Sequence, residues 1–299
     1  MNYAKVQGLD NQGNTCYMNA VLQILFRCKV FSKFILGQNV NIRELQCYKI
    51  TLSDYFSDKV QRLEPTVIKR FIADQNALFR GFGQHDAHAF LIFILDLLDM
   101  KLKVEEGLVE INSLVGEKIV ATLFDCQLTS TICSLESDAN STTKVPDRVV
   151  TLPVPDGDNS TTLDECMKLY MKPEVLDDKW MDGKGNLVKA QKTMRIGKCP
   201  KYFIVLFKRY KQINATTIIK DNKDIKCPLK WKYDNTNYEC RGFVLQQGGI
   251  GAGHYVSFVK EGDDWYCCND AEISKVVNDE IENYIKKSYM VLYVRKKIK

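Results

Sequence analysis

An α+β fold follows from two periodicities and their order along the 299-residue chain. In the first third, apolar residues recur at helical spacing. From about Glu117 the repeat shortens to two, as half-buried strands require. Helices first and strands later indicate the α+β class. Composition supports a filled core, with 45% hydrophobic and 26% charged residues. Both are ordinary for a globular chain, and the length suits one large domain or two small ones.

The first helix is expected over 14–28, where Met18, Val21, Leu22, Leu25 and Phe26 make one stripe. Residues 45–60 are weakly helical. Pro65 suits a helix start, and Val67, Ile68, Phe71 and Ile72 follow it. The strongest periodicity covers 86–102, where Ala87, Phe90, Leu91, Ile94, Leu95 and Leu98 share a face. Residues 118–123, 127–135 and 148–153 read as strands, 156–160 as a loop and 163–170 as a short helix. Tyr202–Phe207 is apolar at every position and suits a buried strand. Strands over 238–245, 254–260, 264–268 and 289–294 continue the sheet. A helix is expected over 279–287 with Asn278 as its cap.

The net charge of +5 is spread along the chain, and no basic–aromatic pattern points to nucleic acid. No signal-peptide core or membrane-length apolar stretch is evident. The 11 cysteines are odd in number and lack framework spacing. A reducing compartment, cytoplasmic or nuclear, is expected.

Cys16 stands where a polar, glycine-bearing loop, Gly8 to Thr15, turns into the first helical stripe. A helix N-terminus favours thiolate and lowers a cysteine pKa. Asn11 and Gln12, just upstream, carry amides suited to stabilising an oxyanion. A structural cysteine would also fit such a place, because free cysteine is commonly buried. A nucleophile needs a distant histidine and a group to orient it. Among three histidines, His254 opens an alternating strand after a glycine-rich turn, and the next strand ends in Asn269 and Asp270. Consecutive strands usually neighbour one another, which would bring Asn269 or Asp270 beside His254.

The segment from Asn11 to Asn19 resembles the Cys box of the ubiquitin-specific proteases. Gly253-His-Tyr-Val-Ser-Phe258 and Trp265-Tyr-Cys-Cys-Asn-Asp270 resemble that family's His box, and Gln84-His-Asp-Ala-His-Ala-Phe-Leu91 its glutamine–aspartate box. The boxes stand in the family's order from about Gly8 to Val294. The resemblance implies a papain-like fold with a helical thumb (about 1–116), fingers (about 117–199, with returning strands near 225–240) and a palm (about 200–299), all in one catalytic domain. It implies a thiol-dependent deubiquitinase with Cys16 as nucleophile, His254 as base, Asn269 or Asp270 as orienter and Asn11 at the oxyanion. Gln84, Asp86, Gly253 and Tyr255 would bind the substrate's tail, and the glycines at 248, 249, 251 and 253 would let their loop gate access. Ubiquitin and ubiquitinated proteins are the implied partners, with activating or targeting proteins besides. An inactive ubiquitin-binding module, or a protease for another ubiquitin-like modifier, is the alternative.

The copy departs from the pattern in two places. His85 and Ala89 replace the usual glutamine and glutamate. The family's fingers usually hold a structural zinc on two Cys-x-x-Cys pairs. The matching positions are Ser134, Ser137, Met181 and Lys184, and no Cys-x-x-Cys occurs. No metal and no cofactor are therefore expected, with the fingers held by strand pairing and by Leu128, Ile132 and Trp180.

Overall fold

Every side chain from Tyr202 to Phe207 is buried, and strict alternation sorts them into two cores. Tyr202, Ile204 and Leu206 face one, Phe203, Val205 and Phe207 the other, as the two-residue period of a strand dictates. The strand Tyr202–Lys208 is thus covered on both faces. The computed structural model describes residues 5–38, 43–57, 62–102, 118–157, 160–215, 217–249 and 253–296. Within it, the central sheet runs in the order Glu272–Val276, Asp264–Asn269, Gly253–Glu261, Thr236–Gly248, Met290–Arg295, Tyr202–Lys208 and Val150–Pro153. Lys230–Tyr233 also pairs with Thr236–Gly248. All neighbours are antiparallel except Val150–Pro153, which lies parallel to Tyr202–Lys208.

One core is built by α1 (Cys16–Phe26), α2 (Lys29–Gly37), α3 (Arg43–Tyr55), α4 (Thr66–Gln75), α5 (Ala87–Lys101) and α6 (Ile119–Phe124). The other is closed by α7 (Leu163–Met171) and α8 (Ile281–Ile285). Helix α1 is buried over its whole length and lies against Gly253–Glu261 and Thr236–Gly248. Gly242 permits this approach. A Cβ there would stand 3.0 Å from the Phe258 carbonyl oxygen and 3.1 Å from Ile24 Cγ2, tighter than ordinary contact. A ladder irregularity between Cys240 and Gly242 marks the same spot.

A second sheet, in the order Asn140–Asp147, Cys126–Ser134, Ala190–Ile196 and Glu174–Val175, carries few buried side chains. Leu128 is buried in it, while Ile132 and Trp180 are half-buried. No helix among the described residues is long and apolar enough to cross a membrane.

Several expected elements differ. Residues 119–124 form α6, not a strand. Ile119, Val120, Leu123 and Phe124 are buried while Ala121 and Thr122 are half-exposed, a pair–gap–pair pattern that only a helix produces. A two-residue repeat extended over them pointed the other way, and tertiary burial overrode it. The first helix stops at Phe26, and a separate α2 follows. Pro65 occupies the cap position of α4, one residue before the expected start. Asn278 opens a 3-10 turn and donates to the Asp263 carbonyl at 3.2 Å instead of capping a long helix. Helix α7 begins on a Thr-x-x-Glu capping box: Thr162 accepts from Glu165 N–H at 3.1 Å, and Glu165 accepts from Thr162 N–H at 2.8 Å.

Arg148 joins the two layers. Its guanidinium donates to Asp99 at 2.8 Å, to Asp125 at 3.1 Å and to Asp96. These carboxylates lie on α5 and at the end of α6, while Arg148 precedes the strand Val150–Pro153. Burial pushes the Asp125 carboxyl up despite the arginine, so removing the cation would leave buried negative charge uncompensated. Arg148→Ala should cost about 3 kcal/mol of unfolding free energy, read as a lowered urea midpoint. A change under about 0.5 kcal/mol would show that the cluster contributes nothing net.

Candidate active site

The loop before α1 is shaped by its own polar side chains. Asn11 Oδ1 accepts from the Thr15 N–H at 3.0 Å, and Thr15 Oγ1 accepts from the Gln12 N–H at 2.8 Å. Gln12 Oε1 accepts from Thr66 Oγ1 at 3.0 Å, tying the loop to α4. The turn passes through positive φ at Gly13 and Asn14. It delivers Cys16 to the first position of α1, 4% exposed. The backbone N–H of Tyr255, the residue after His254, is near enough to the Cys16 sulfur to lower its pKa.

His254 and Asn269 meet just beyond the Ser257–Cys268 pair that ends the ladder between their strands. The His254 Nε2 to Asn269 Oδ1 distance is 2.6 Å. An amide oxygen only accepts, so Nε2 donates here, and Nδ1 is the acceptor nitrogen of the neutral ring.

Asp270 lies elsewhere. It sits in the left-handed region at φ 50°, where its Oδ2 accepts from Asn11 Nδ2 at 2.8 Å and its Oδ1 from Asn19 Nδ2 at 2.8 Å. Its carbonyl accepts from the Leu9 N–H at 2.9 Å. The carboxylate thus grips the loop and helix that carry Cys16 and does not turn to His254. The expectation that it might stand in for Asn269 fails on this geometry. Asn11 has spent one of its two amide protons on Asp270 and keeps one to donate. Gly8 completes the seam, since a Cβ there would fall 2.1 Å from the Ala271 carbonyl oxygen.

A cleft of about 300 Å³ opens beside these residues, lined by Gln84, Asp86, Tyr210, Gln246, Gly253 and Tyr255 among others. Gln84 Oε1 accepts from the Gly253 N–H at 3.1 Å, joining the helical layer to the sheet. Asp86 caps α5, its Oδ1 accepting from the Ala89 N–H at 2.9 Å. Its Oδ2 accepts from Tyr255 at 3.1 Å and Tyr289 at 2.7 Å. Cys16, Asn11, His254, Asn269, Asp270, Gln84, Gly253, Tyr255 and Asp86 therefore fall on one seam, but Asp86 is committed to internal partners. His85 packs edge-on against Tyr17 and Phe79. Gly251 lies outside the described residues.

A profile of the ubiquitin carboxyl-terminal hydrolases matches residues 7–293. The chain belongs to that family. It is 27% identical to a probable ubiquitin carboxyl-terminal hydrolase 4 of Schizosaccharomyces pombe, over 98% of this chain and 59% of that protein. It is also 27% identical to the ubiquitin carboxyl-terminal hydrolase 4 of Arabidopsis thaliana, over 94% of this chain and 88% of that protein. The fold is shared with the SAGA DUB module Ubp8/Sgf11/Sus1/Sgf73 bound to monoubiquitin: TM-score 0.82, 24% identity, all of this chain and 71% of that one. The chain thus has the papain-like α+β fold of a ubiquitin-specific protease core.

Against that family's zinc, the donor set does not fit. Ser134 Oγ accepts from the Glu136 and Ser137 N–H groups, each at 3.0 Å, closing one fingertip turn. Met181 is exposed, and Lys184 brings a cation. The other turn closes on Asp182, which accepts from the N–H groups of Lys184 at 2.8 Å and Asn186 at 2.9 Å and from the Asn186 amide at 3.2 Å. Oxygen acceptors on backbone amides occupy the places where thiolates would hold a metal. Among the described residues, no cluster of three His, Cys, Asp or Glu could hold a metal ion.

Sequence reasoning passed over Asn19, Tyr289, Tyr210 and Gln246. Asn19 had a legible signal: an amide three residues past Cys16 in a largely apolar helix must find a buried partner. Tyr289 had none, because its role depends on two distant chain segments meeting.

The electrostatics depart from expectation. Burial raises the Cys16 pKa, the Tyr255 N–H opposes, the Asp270 charge raises it further, and the N–H groups of Tyr17 and Cys16 pull it down. Desolvation wins over the helix terminus, so the resting group is a thiol. Iodoacetamide labelling of Cys16 should keep accelerating above pH of about 8.5, the ordinary thiol value. Asp270→Asn removes the negative charge and should move the profile to lower pH. A plateau near neutrality, or an unmoved profile in Asp270→Asn, contradicts this balance.

The fingertip yields a second test. Hydrogen bonds from Asn186 hold the Asp182 carboxyl below its usual pKa. A carboxylate depressed in the folded state stabilises above its unfolded pKa, and the contribution fades as pH falls through the folded value. Amide protection at Lys184 and Asn186 should drop in Asp182→Ala and in acid, while a chelator leaves both protection and Tm unchanged. Loss of protection on chelation would mean that a metal closes the tip.

Proposed function

We propose that this chain is a thiol-dependent hydrolase cleaving the isopeptide or peptide bond after the C-terminal glycine of ubiquitin. The observation carrying the reading is the 2.6 Å pairing of His254 with Asn269 on the sheet that packs against the helix opened by Cys16. A buried thiol with a raised pKa needs a base, and the free Nδ1 of His254 is suited to take its proton. Cys16 then attacks the glycine carbonyl, the remaining Asn11 proton donates to the developing oxyanion, and His254 returns its proton to the leaving lysine amine. Water repeats the sequence on the thioester.

The cleft fits a narrow, extended tail. Gly253 and Tyr255 form one wall, Gln84 and Asp86 the other. Asp86 acts by fixing the Tyr255 and Tyr289 phenols rather than as a free charge. In this reading the layer α1 to α6 is the thumb, the sheet around Cys126–Ser134 the fingers, and the central sheet the palm. The solved relative sits with Sgf11, Sus1 and Sgf73 and is bound to monoubiquitin, which supports ubiquitin as ligand and protein partners as regulators here.

Ubiquitin carrying a C-terminal thiol-reactive electrophile should form one adduct, at Cys16. Cys16→Ala should abolish turnover and keep ubiquitin binding. His254→Ala should lower kcat/KM about 10³-fold, and Asn269→Ala about 10-fold to 100-fold, mainly in kcat. An adduct on another cysteine, or turnover by Cys16→Ala, contradicts the reading. Faster capture by a different diglycine-ended modifier would reassign the substrate.

A further inference from the structure

Two cysteines outside the catalytic seam are brought together by a one-residue irregularity. The strands Cys126–Ser134 and Ala190–Ile196 pair in register as far as Leu128 opposite Ile196. Beyond that, Gly197 N–H donates to the Gln127 carbonyl at 2.7 Å, and Gln127 N–H donates to the Lys198 carbonyl at 3.0 Å. Gln127 therefore faces two residues, as at a β-bulge, and the next residues along the two strands are Cys126 and Cys199. Without the bulge, Cys126 would face Lys198. Each thiol shifts the pKa of the other, the Cys199 thiol donates to the Gly197 carbonyl at 3.6 Å, and both lie in the core closed by α7 and α8.

We propose that Cys126 and Cys199 are an oxidative modification site that closes to a reversible disulfide on reaction with a hydroperoxide. Residues opposite each other on antiparallel strands have Cβ atoms about 4.5–5.5 Å apart, and a disulfide needs about 3.5–4.5 Å. A small side-chain shift joins them. The pair is also chemically unequal. The Cys126 thiol lowers the Cys199 pKa against the opposing effect of burial, while the Cys126 pKa is pushed up. Cys199 is thus the more readily ionised of the two and the first to react.

The Cys199 thiolate attacks one peroxide oxygen, the O–O bond breaks, and the departing hydroxide takes a proton to leave as water. The Cys126 sulfur then attacks the Cys199 sulfenic sulfur. The S–O bond breaks, and its hydroxide leaves with the Cys126 proton as a second water. Two thiols lose two electrons and two protons, and the peroxide is reduced to two waters. The cross-link closes the chain over the whole second sheet, the strand Val150–Pro153 and α7. Restricting so long a loop in the unfolded chain raises stability, and reversal by thiols suits a reducing compartment, where disulfides are transient.

The test uses the Cys16→Ala protein, so that oxidation of the nucleophile does not intervene. After hydrogen peroxide and alkylation of remaining thiols, peptide mapping should find the Cys126 and Cys199 peptides linked and lighter by two hydrogens. Tm should rise by roughly 5–10 °C, and dithiothreitol should reverse both changes. Cys126→Ala in the same background should instead leave a Cys199 sulfenic acid that dimedone traps, with no rise in Tm. Full alkylation of Cys126 and Cys199 after peroxide, or their linkage to other cysteines, overturns the proposal. The mapping on Cys16→Ala decides the matter even if Cys126→Ala does not fold.

Discussion

The grip of Asp270 on Asn11 and Asn19 is the constraint on which the rest of the site depends. One carboxylate at the end of the strand Asp264–Asn269 holds both the loop before Cys16 and the first turn of α1. The sheet and the helical layer come from opposite ends of the chain, and their cores alone would fix the distance between layers but not the register of one side chain. Directional hydrogen bonds to a charged group supply that register. The left-handed backbone at Asp270 and the close passage of Gly8 over Ala271 show how tightly the segments meet. The same carboxylate also raises the Cys16 pKa. Precise placement is thus obtained at the expense of thiolate character.

Asp86 repeats the device on the other side of the cleft. As the cap of α5 it satisfies the Ala89 N–H, and its second oxygen gathers phenols from two strands of the sheet. A helix terminus, where a carboxylate is already favoured, becomes the anchor for a wall built by Tyr255 and Tyr289. Gln84, two residues earlier, ties the Gly253 backbone to the same edge. Both walls of the cleft are therefore positioned by polar side chains next to a helix start.

The second sheet obeys different physics. It buries little, so its tips rely on local closure, through Ser134 on one turn and Asp182 on the other. Such turns need only one oxygen placed two to four residues from the amides it accepts. They hold each tip separately, whereas a metal would have bound the two tips to each other.

The order of helices and strands, the buried strand at Tyr202–Phe207, and the meeting of His254 with Asn269 were all legible in the sequence. Each rests on periodicity or on a short motif whose meaning is local. Residues 118–123 were misread as a strand because a two-residue repeat was extended over them, while the pair–gap–pair burial of α6 belongs to a surface the sequence does not display. The direction of the Asp270 carboxylate, the commitment of Asp86 to two tyrosines, and the raised rather than lowered Cys16 pKa were decided only by tertiary structure. In each case the answer is set by which groups from distant segments compete for one charge, and by how much water the fold removes around it.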